Sequence, residues 1–266
     1  MKIFQKVFNF YIDSSIHVAF AVYCLVKITV FSNQSHSIEY FPISVFFGTV
    51  LGYNFLKYYA IFRKGFFRFK KYYAILGVSI LAGIGFLFSF YLLNPSIQKL
   101  ILVSGFLVII YPFLRKYGWL KLFLVSVTVT FITVYIPLQM LKKLPLELYI
   151  NLIQRFFIVI SLLIPFEIMD SKSDDETLGT LPQIFGINST KLFGILLVIP
   201  FIILEFLKLN PSYLVLPIGI IAVVFINFTE LHRKKYYTSF WVESVPILWW
   251  LVLFLISKIY YLANTI

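Results

Sequence analysis

Long hydrophobic runs alternate with short polar breaks along most of the chain. A run of about 20 apolar residues crosses a bilayer as an α-helix, because a helix satisfies its own backbone hydrogen bonds in lipid. Nine runs of about this length follow one another, and each predicts a membrane-spanning helix. They cover residues 15–31, 41–60, 72–93, 97–114, 119–138, 146–165, 191–207, 213–228 and 241–261.

The composition agrees with this pattern. Hydrophobic residues make up 61% of the 266-residue sequence and charged residues only 13%, and the mean hydropathy is +0.92. These values exclude an ordinary soluble globular domain. We therefore expect an all-α, polytopic membrane helical bundle. It forms a single transmembrane domain over residues 1–266, because the loops between the runs are too short for a soluble domain.

The positions of the basic residues orient this bundle. Short cytoplasmic loops of membrane proteins carry an excess of Lys and Arg, and a cytoplasmic N-terminus places most of the 23 basic residues on that side. This bias and attraction to anionic membrane lipid explain the net charge of +12 without a nucleic acid partner. We expect an integral protein of the cell's inner (plasma) membrane whose polar site faces the cytoplasm.

The acidic residues are concentrated in one stretch, residues 165–182. It holds five of the eleven Asp and Glu residues, namely Glu167, Asp170, Asp174, Asp175 and Glu176. Carboxylates this close repel one another, and a divalent cation relieves that repulsion. A helical turn puts Asp170 and Asp174 on one face as oxygen ligands for Mg²⁺ or Ca²⁺, and Glu167 lies one turn before Asp170. The alternative is a solvated acidic loop.

A second polar segment follows the second hydrophobic run. It contains Asn54 and Lys57 and leads into the basic loop from Arg63 to Lys71. No acidic residue occurs from there to Glu147, so this segment offers amide, hydroxyl and positive charge, which suit a phosphate. The alternative is that the basic residues only anchor the topology. In the sixth run, Arg155 is a functional hypothesis because an intramembrane charge is costly, and its partner is not identifiable from sequence.

These motifs resemble those of the UbiA superfamily of intramembrane prenyltransferases. The sharpest match is Asp170-xxx-Asp174 followed by Gly179-Thr180-Leu181-Pro182, together with Asn54 after the second run. In that family, acidic motifs after helices two and six hold Mg²⁺ on the diphosphate of a polyprenyl donor, and the allyl group then alkylates a lipophilic acceptor in an apolar cavity.

The resemblance implies three sets of site residues. The catalytic residues are Asp170, Asp174 and Asn54. The metal ligands are Asp170, Asp174 and Glu167. The diphosphate-binding residues are Lys57, Arg63, Lys64 and Lys172. We also expect Asn54 and Asp170 to line one cavity at the cytoplasmic level.

The first acidic motif departs from the family pattern. The family has Asn-xxx-Asp there, often with a third acid four residues on, whereas Asn54 is followed at these spacings by Tyr58 and Phe62. Either the second motif holds a single Mg²⁺ with Lys57, Arg63 or Lys64 replacing the other ion, or catalysis has been lost.

Three functions remain as alternatives. The first is a divergent, Mg²⁺-dependent prenyltransferase that transfers a prenyl group from a polyprenyl diphosphate to a lipophilic acceptor. The second is a catalytically inactive relative that binds isoprenoid lipid or a membrane partner protein. The third is a transporter, suggested by Arg155 and Lys57 within hydrophobic runs, although the repeated broken helices typical of transporters are not visible in the sequence.

Overall fold

The computed structural model describes residues 2–32, 40–63, 70–114, 117–140, 145–175 and 178–264. All of its regular elements in these ranges are helical. The α-helices are α1 (Lys2–Asp13), α2 (Ile16–Ser32), α3 (Tyr40–Arg63), α4 (Lys70–Tyr91), α5 (Pro95–Leu114), α6 (Gly118–Thr130), α7 (Ile136–Met140), α8 (Pro145–Asp170), α9 (Leu181–Phe185), α10 (Ile187–Glu205), α11 (Val215–Asn227) and α12 (Val245–Asn264). Two π-helical segments, Phe131–Tyr135 and Tyr237–Val242, precede α7 and α12.

Each of the nine hydrophobic runs coincides with a helix, which confirms the all-α membrane bundle. Six helical segments of the described chain are long and apolar enough to cross a membrane: 70–91, 95–114, 118–140, 146–170, 187–205 and 237–259. A seventh is obtained if α1 and α2, which meet at 56°, form one bent span. The count of nine spans and the cytoplasmic N-terminus stay predictions.

The bend between α1 and α2 is held by polar contacts from other helices. Ser15 has a φ of 61°, in the left-handed region that breaks a helix. The preceding Asp13 carboxylate forms ion pairs with Lys71 at 2.6 Å and Lys235 at 3.2 Å. Its backbone carbonyl accepts a hydrogen bond from the Tyr58 hydroxyl at 2.7 Å. The bend thereby ties α3, α4 and the segment before α12 to the N-terminal helix.

The helices α8 and α10 pack closely against each other. The Ser161 hydroxyl donates to the backbone carbonyl of Gly194 at 3.0 Å. A Cβ at Gly194 would lie only 2.9 Å from Ile164, so glycine permits this approach. Helices in lipid gain little from the hydrophobic effect and are held by such packing and by interhelical hydrogen bonds. This packing fixes α8, which carries the predicted acidic site at its end.

Candidate functional site

The acidic stretch continues α8 by one turn. The backbone N–H of Asp174 donates to the carbonyl of Asp170 at 2.9 Å, so the two residues lie one turn apart, as predicted. The chain then reverses into the short helix α9, where the Thr180 N–H donates to Gln183 Oε1 at 3.0 Å. The Gln183 amide donates back to the Asp175 carbonyl at 2.9 Å. Thus part of the matched Gly-Thr-Leu-Pro segment has a structural role, which is to shape the loop.

A lysine that the sequence did not single out binds the predicted acids. Lys121 lies in α6, and its Nζ atom is 2.8 Å from Asp174 Oδ2 and 3.1 Å from Glu167 Oε1. The side chains of Lys121, Glu167 and Asp174 are only 6%, 7% and 8% exposed. A buried charge is tolerated only when it is paired and hydrogen-bonded. Lys121 therefore compensates carboxylate charge from α8 and from the loop that follows it.

Two glycines bring α6 against the acidic loop. Gly118 begins α6, and a Cβ built on it would lie 2.4 Å from the backbone of Leu178 and Gly179. Gly179 has a φ of 65°, a conformation that favours glycine. Because the two backbones touch here, the Lys121 side chain one turn along α6 reaches the carboxylates.

Glu167 and Asp170 line a cavity of about 260 Å³, to which α2, α3, α5, α6, α8, the second π-helical segment and the start of α12 contribute. Its polar lining residues are Tyr53, Tyr111, Lys121, Glu167, Asp170 and Glu243. The remaining walls are apolar, formed by Val18, Ala21, Val22, Leu25, Leu122, Val125, Val129, Val159, Leu162, Leu163, Phe166, Val242 and Pro246. A largely apolar cavity with a few charged groups suits a ligand with an apolar body and an ionic head.

Part of the acidic set fits a magnesium ion. Mg²⁺ is usually held by one or two carboxylates, with substrate phosphate and water completing the octahedron. Glu167 Oε2 is buried and has no hydrogen-bond partner among the described residues. Glu167 and Asp170 lie three residues apart on α8, and both line the cavity. These two carboxylates could hold one Mg²⁺.

Asp174 stays a predicted metal ligand. In this structure its carboxylate also contacts Lys121 at 2.8 Å. Within the described ranges, no three or more His, Cys, Asp or Glu side chains are placed to hold a metal together. The carboxylates of α8 that line the cavity, and on which the fit to Mg²⁺ rests, are Glu167 and Asp170.

The first motif lies outside the cavity. Asn54 is 1% exposed and donates to the Ser79 hydroxyl of α4 at 3.0 Å. The expectation that Asn54 and Asp170 line one cavity is therefore wrong, since Tyr53 faces the cavity instead. Tyr58, at the position where the family has an acid, is engaged with the bend between α1 and α2.

The predicted diphosphate-binding lysines make other contacts. Lys57 is exposed, with its Nζ atom 3.4 Å from the Asp13 carbonyl oxygen. Lys172 is exposed on the loop after α8, and its Nζ atom lies 3.5 Å from His232 Nδ1. Neither lysine lines the cavity. The side chain of Arg63 and all of Lys64 lie outside the described residues.

Arg155 belongs to a second buried polar cluster. Its guanidinium donates to Thr29 Oγ1 at 3.1 Å and lies 5.4 Å from the centroid of the Trp249 ring. On the neighbouring face of the bundle, the Glu205 carboxylate accepts hydrogen bonds from Gln154 at 2.7 Å and from Lys208 at 2.7 Å. This cluster supplies the partners that the sequence could not identify.

Four polar cavity residues had no role in the sequence analysis: Lys121, Tyr53, Tyr111 and Glu243. Lys121 carried a signal, since it stands alone between Leu120 and Leu122 in an apolar run. It was counted only as a topology charge. Glu243 likewise stands alone in an apolar stretch, in the ninth run.

Comparison with known proteins supports the fold. No family model matches the sequence, and no curated protein matches it. Among solved structures, the apo structure of a UbiA homolog from Aeropyrum pernix K1 superposes with a TM-score of 0.66 at 13% sequence identity. The match covers 91% of this chain and 98% of that one. The chain therefore has the fold of a UbiA homolog, which confirms the resemblance at the level of fold.

Proposed function

We propose that this protein is a divergent intramembrane prenyltransferase of the UbiA type. It takes a polyprenyl diphosphate as donor and a lipophilic molecule as acceptor. The observation that carries the proposal is the cavity, which is lined mostly by apolar side chains and also by Lys121, Glu167 and Asp170. An isoprenoid chain suits the walls, and a diphosphate suits the charged side.

The diphosphate needs cations to leave, because its developing charge must be spread. Lys121 lines the cavity and provides one N–H donor beyond the two that meet Glu167 and Asp174. Glu167 and Asp170 would hold Mg²⁺, which acts as a Lewis acid on the phosphate oxygens when bound. The role of Asp174 in this proposal is to orient Lys121.

The reaction would begin with cleavage of the bond between the allylic carbon and the diphosphate oxygen, whose electron pair leaves with the diphosphate. The apolar walls exclude water from the allylic cation, and the rings of Tyr53, Tyr111 and Phe166 can stabilise it. The acceptor's π electrons then form the new carbon–carbon bond. Glu243, the other carboxylate of the cavity, is the residue we assign to take the proton that the acceptor loses.

The proposal is tested by binding and transfer with purified protein in lipid nanodiscs. Tritiated farnesyl diphosphate should bind in the presence of Mg²⁺, and Asp170→Asn should weaken that binding by about tenfold or more, as the loss of groups that tune a metal site does. Glu230→Gln is the matched control, because its side chain is a 68% exposed carboxylate away from the cavity.

Transfer is then measured with a panel of lipophilic phenols, following release of diphosphate and labelled product. Product formation by wild-type protein and its loss in Glu243→Gln would support the prenyltransferase. Binding without turnover against the whole panel would favour the inactive, isoprenoid-binding relative. Absence of farnesyl diphosphate binding would refute the proposal.

A further inference from the structure

We propose that the N-terminal helix α1 docks on the anionic lipid surface of the membrane. Its apolar face lies among the upper parts of the acyl chains, and exposed lysines beside it contact the headgroups. The partner of this surface is therefore the bilayer itself. The proposal concerns a surface outside the cavity and does not depend on the proposed function.

The sequence of α1 is amphipathic. Successive residues of a helix point about 100° apart, so Gln5, Asn9 and Asp13, at four-residue spacing, form a polar stripe. Ile3 and Val7 lie on the other side of the helix. One polar and one apolar side along a short helix is the pattern of helices that lie in a membrane interface.

The apolar side of α1 is exposed where it would meet lipid. Ile3, Phe4 and Val7 are 80%, 78% and 62% exposed. A different side of the helix packs on the protein, since the ring of Phe8 lies 5.0 Å from that of Phe240 and Ile12 is buried. The bundle therefore holds α1 in place while the described chain leaves this apolar side uncovered.

The position of α1 places its apolar side at the edge of the bilayer. The helix leads directly into α2, the first hydrophobic run, and the two axes are bent by 56°. Twelve helical residues extend about 18 Å, which is too short to cross a hydrocarbon core of about 30 Å. A helix that turns aside where α2 enters the lipid lies at the level where headgroups and acyl chains meet.

Exposed lysines surround this helix. Lys6 and Lys234 are exposed, and the side chains of Lys71 and Lys235 are 49% and 58% exposed although both pair with Asp13. That one carboxylate offsets only one of the four positive charges. Basic residues at a membrane surface are attracted by anionic headgroups, so the lipid that suits this surface carries negative charge.

The experiment locates the two sides of α1 by fluorescence of the full-length protein in nanodiscs of phosphatidylcholine and phosphatidylglycerol. The sequence has one cysteine, Cys24, which is buried, so Val7→Cys and Gln5→Cys each add a single exposed thiol for an NBD label. The two positions point about 160° apart. We expect the label at position 7 to emit at shorter wavelength and to be quenched by lipids with a doxyl group on the acyl chain. It should be at least fivefold less accessible to acrylamide, a neutral aqueous quencher, than the label at position 5.

The role of the headgroups is tested by lipid composition. Nanodiscs of phosphatidylcholine alone should raise the acrylamide accessibility of the label at position 7 by fivefold or more. Lys6→Gln should raise it by about fivefold in the mixed lipid, the factor that one lysine near an anionic surface contributes, and should not raise it in phosphatidylcholine alone. The matched control is Lys99→Gln, which removes an exposed lysine at the start of α5 and should change neither value.

Three results would overturn the proposal. Acyl-chain quenching of both labels would mean that α1 crosses the hydrocarbon core, and equal acrylamide access to both would mean that its apolar side faces water. Protection of position 7 from acrylamide without acyl-chain quenching would mean that protein, such as a second copy of this chain, covers that side. Equal accessibility of position 7 in the two lipid compositions would overturn the assignment to anionic headgroups.

Discussion

Replacement of Gly118 by alanine tests whether contact between α6 and the acidic loop positions Lys121. The new Cβ would lie 2.4 Å from the backbone of Leu178 and Gly179, whereas ordinary contact starts at 3.4 Å. Both partners are backbone, so no side chain can rotate away. The loop must therefore move by roughly 1 Å, as the difference between these distances requires.

A movement of this size has two measurable consequences. Overpacking of this kind costs about 1–3 kcal/mol, which corresponds to a fall in Tm of several degrees in a chain of this length. It also lengthens the 2.8 Å contact between Lys121 and Asp174 to about 3.8 Å, beyond normal hydrogen-bond distance. We therefore expect Gly118→Ala to lower the Tm and also to weaken the binding of farnesyl diphosphate.

The assay is thermal unfolding followed by tryptophan fluorescence, with the binding assay in parallel. Gly105→Ala is the matched control, because that glycine also lies in a helix and a Cβ on it would meet no atom within 4 Å. We expect the control to keep both Tm and binding. If Gly118→Ala matched Gly105→Ala in both measurements, the positioning role of this contact would be refuted.

Two further predictions concern the buried Glu205–Lys208 pair and the orientation of the bundle in the membrane. Glu205→Gln removes the charge opposite Lys208, whose side chain is 15% exposed, and should lower stability by about 3 kcal/mol, the cost of breaking a buried pair. Lys208→Met in the same background should recover part of the lost Tm, and no recovery would contradict the pairing argument. The contacts of Gln154 with Phe201 and of Ser161 with Gly194 show that α8 and α10 are antiparallel. Topology reporters fused after Asp174 and after Lys208 should therefore give cytoplasmic and external signals, respectively, and equal signals would contradict the predicted orientation.

The sequence predicted those features that depend on local chain properties. Each hydrophobic run became a helix because length and apolarity alone decide that a segment crosses lipid as a helix. The four-residue spacing of Asp170 and Asp174 likewise became one turn, because backbone hydrogen bonding over four residues is local. No long-range information was needed for either.

The rotation of α3 was not predictable in the same way. Asn54 and Tyr53 are neighbours in sequence but point about 100° apart on a helix, and Tyr53 lines the cavity while Asn54 faces α4. A helix that is apolar on all sides gives no periodic signal of which face is buried where. Packing against α4 determines which face of α3 turns toward the cavity.

Lys121 shows a different limit. Its partner Asp174 is 53 residues away in the chain, and a lysine near a predicted cytoplasmic end of a span is already explained by the positive-inside rule. Loss of the acids at the first motif was visible in the sequence, and replacement cations were sought among Lys57, Arg63 and Lys64. The structure instead brings a cation from α6, which packs against α8 and contacts the acidic loop at Gly118.

Among the described Lys and Arg residues, Lys121 and Arg155 are the two that are buried, and they differ in their access to the cavity. Leu25 and Val159 line the cavity, and one turn further along α2 and α8 lie Thr29 and Arg155, which are hydrogen-bonded to each other. Arg155 is 6% exposed and does not line the cavity, whereas Lys121 does. Of these two cations, only Lys121 can therefore be reached by an anionic group in the cavity.

Along α8, Asp170 and Val159 are about 16 Å apart. The cavity has a volume of about 260 Å³, below the range of about 300–1,000 Å³ that is usual for drug-sized ligands. If the proposed polyprenyl diphosphate binds here, its tail exceeds this space, so we expect the tail to leave between helices and continue in the bilayer, with the diphosphate beside Lys121.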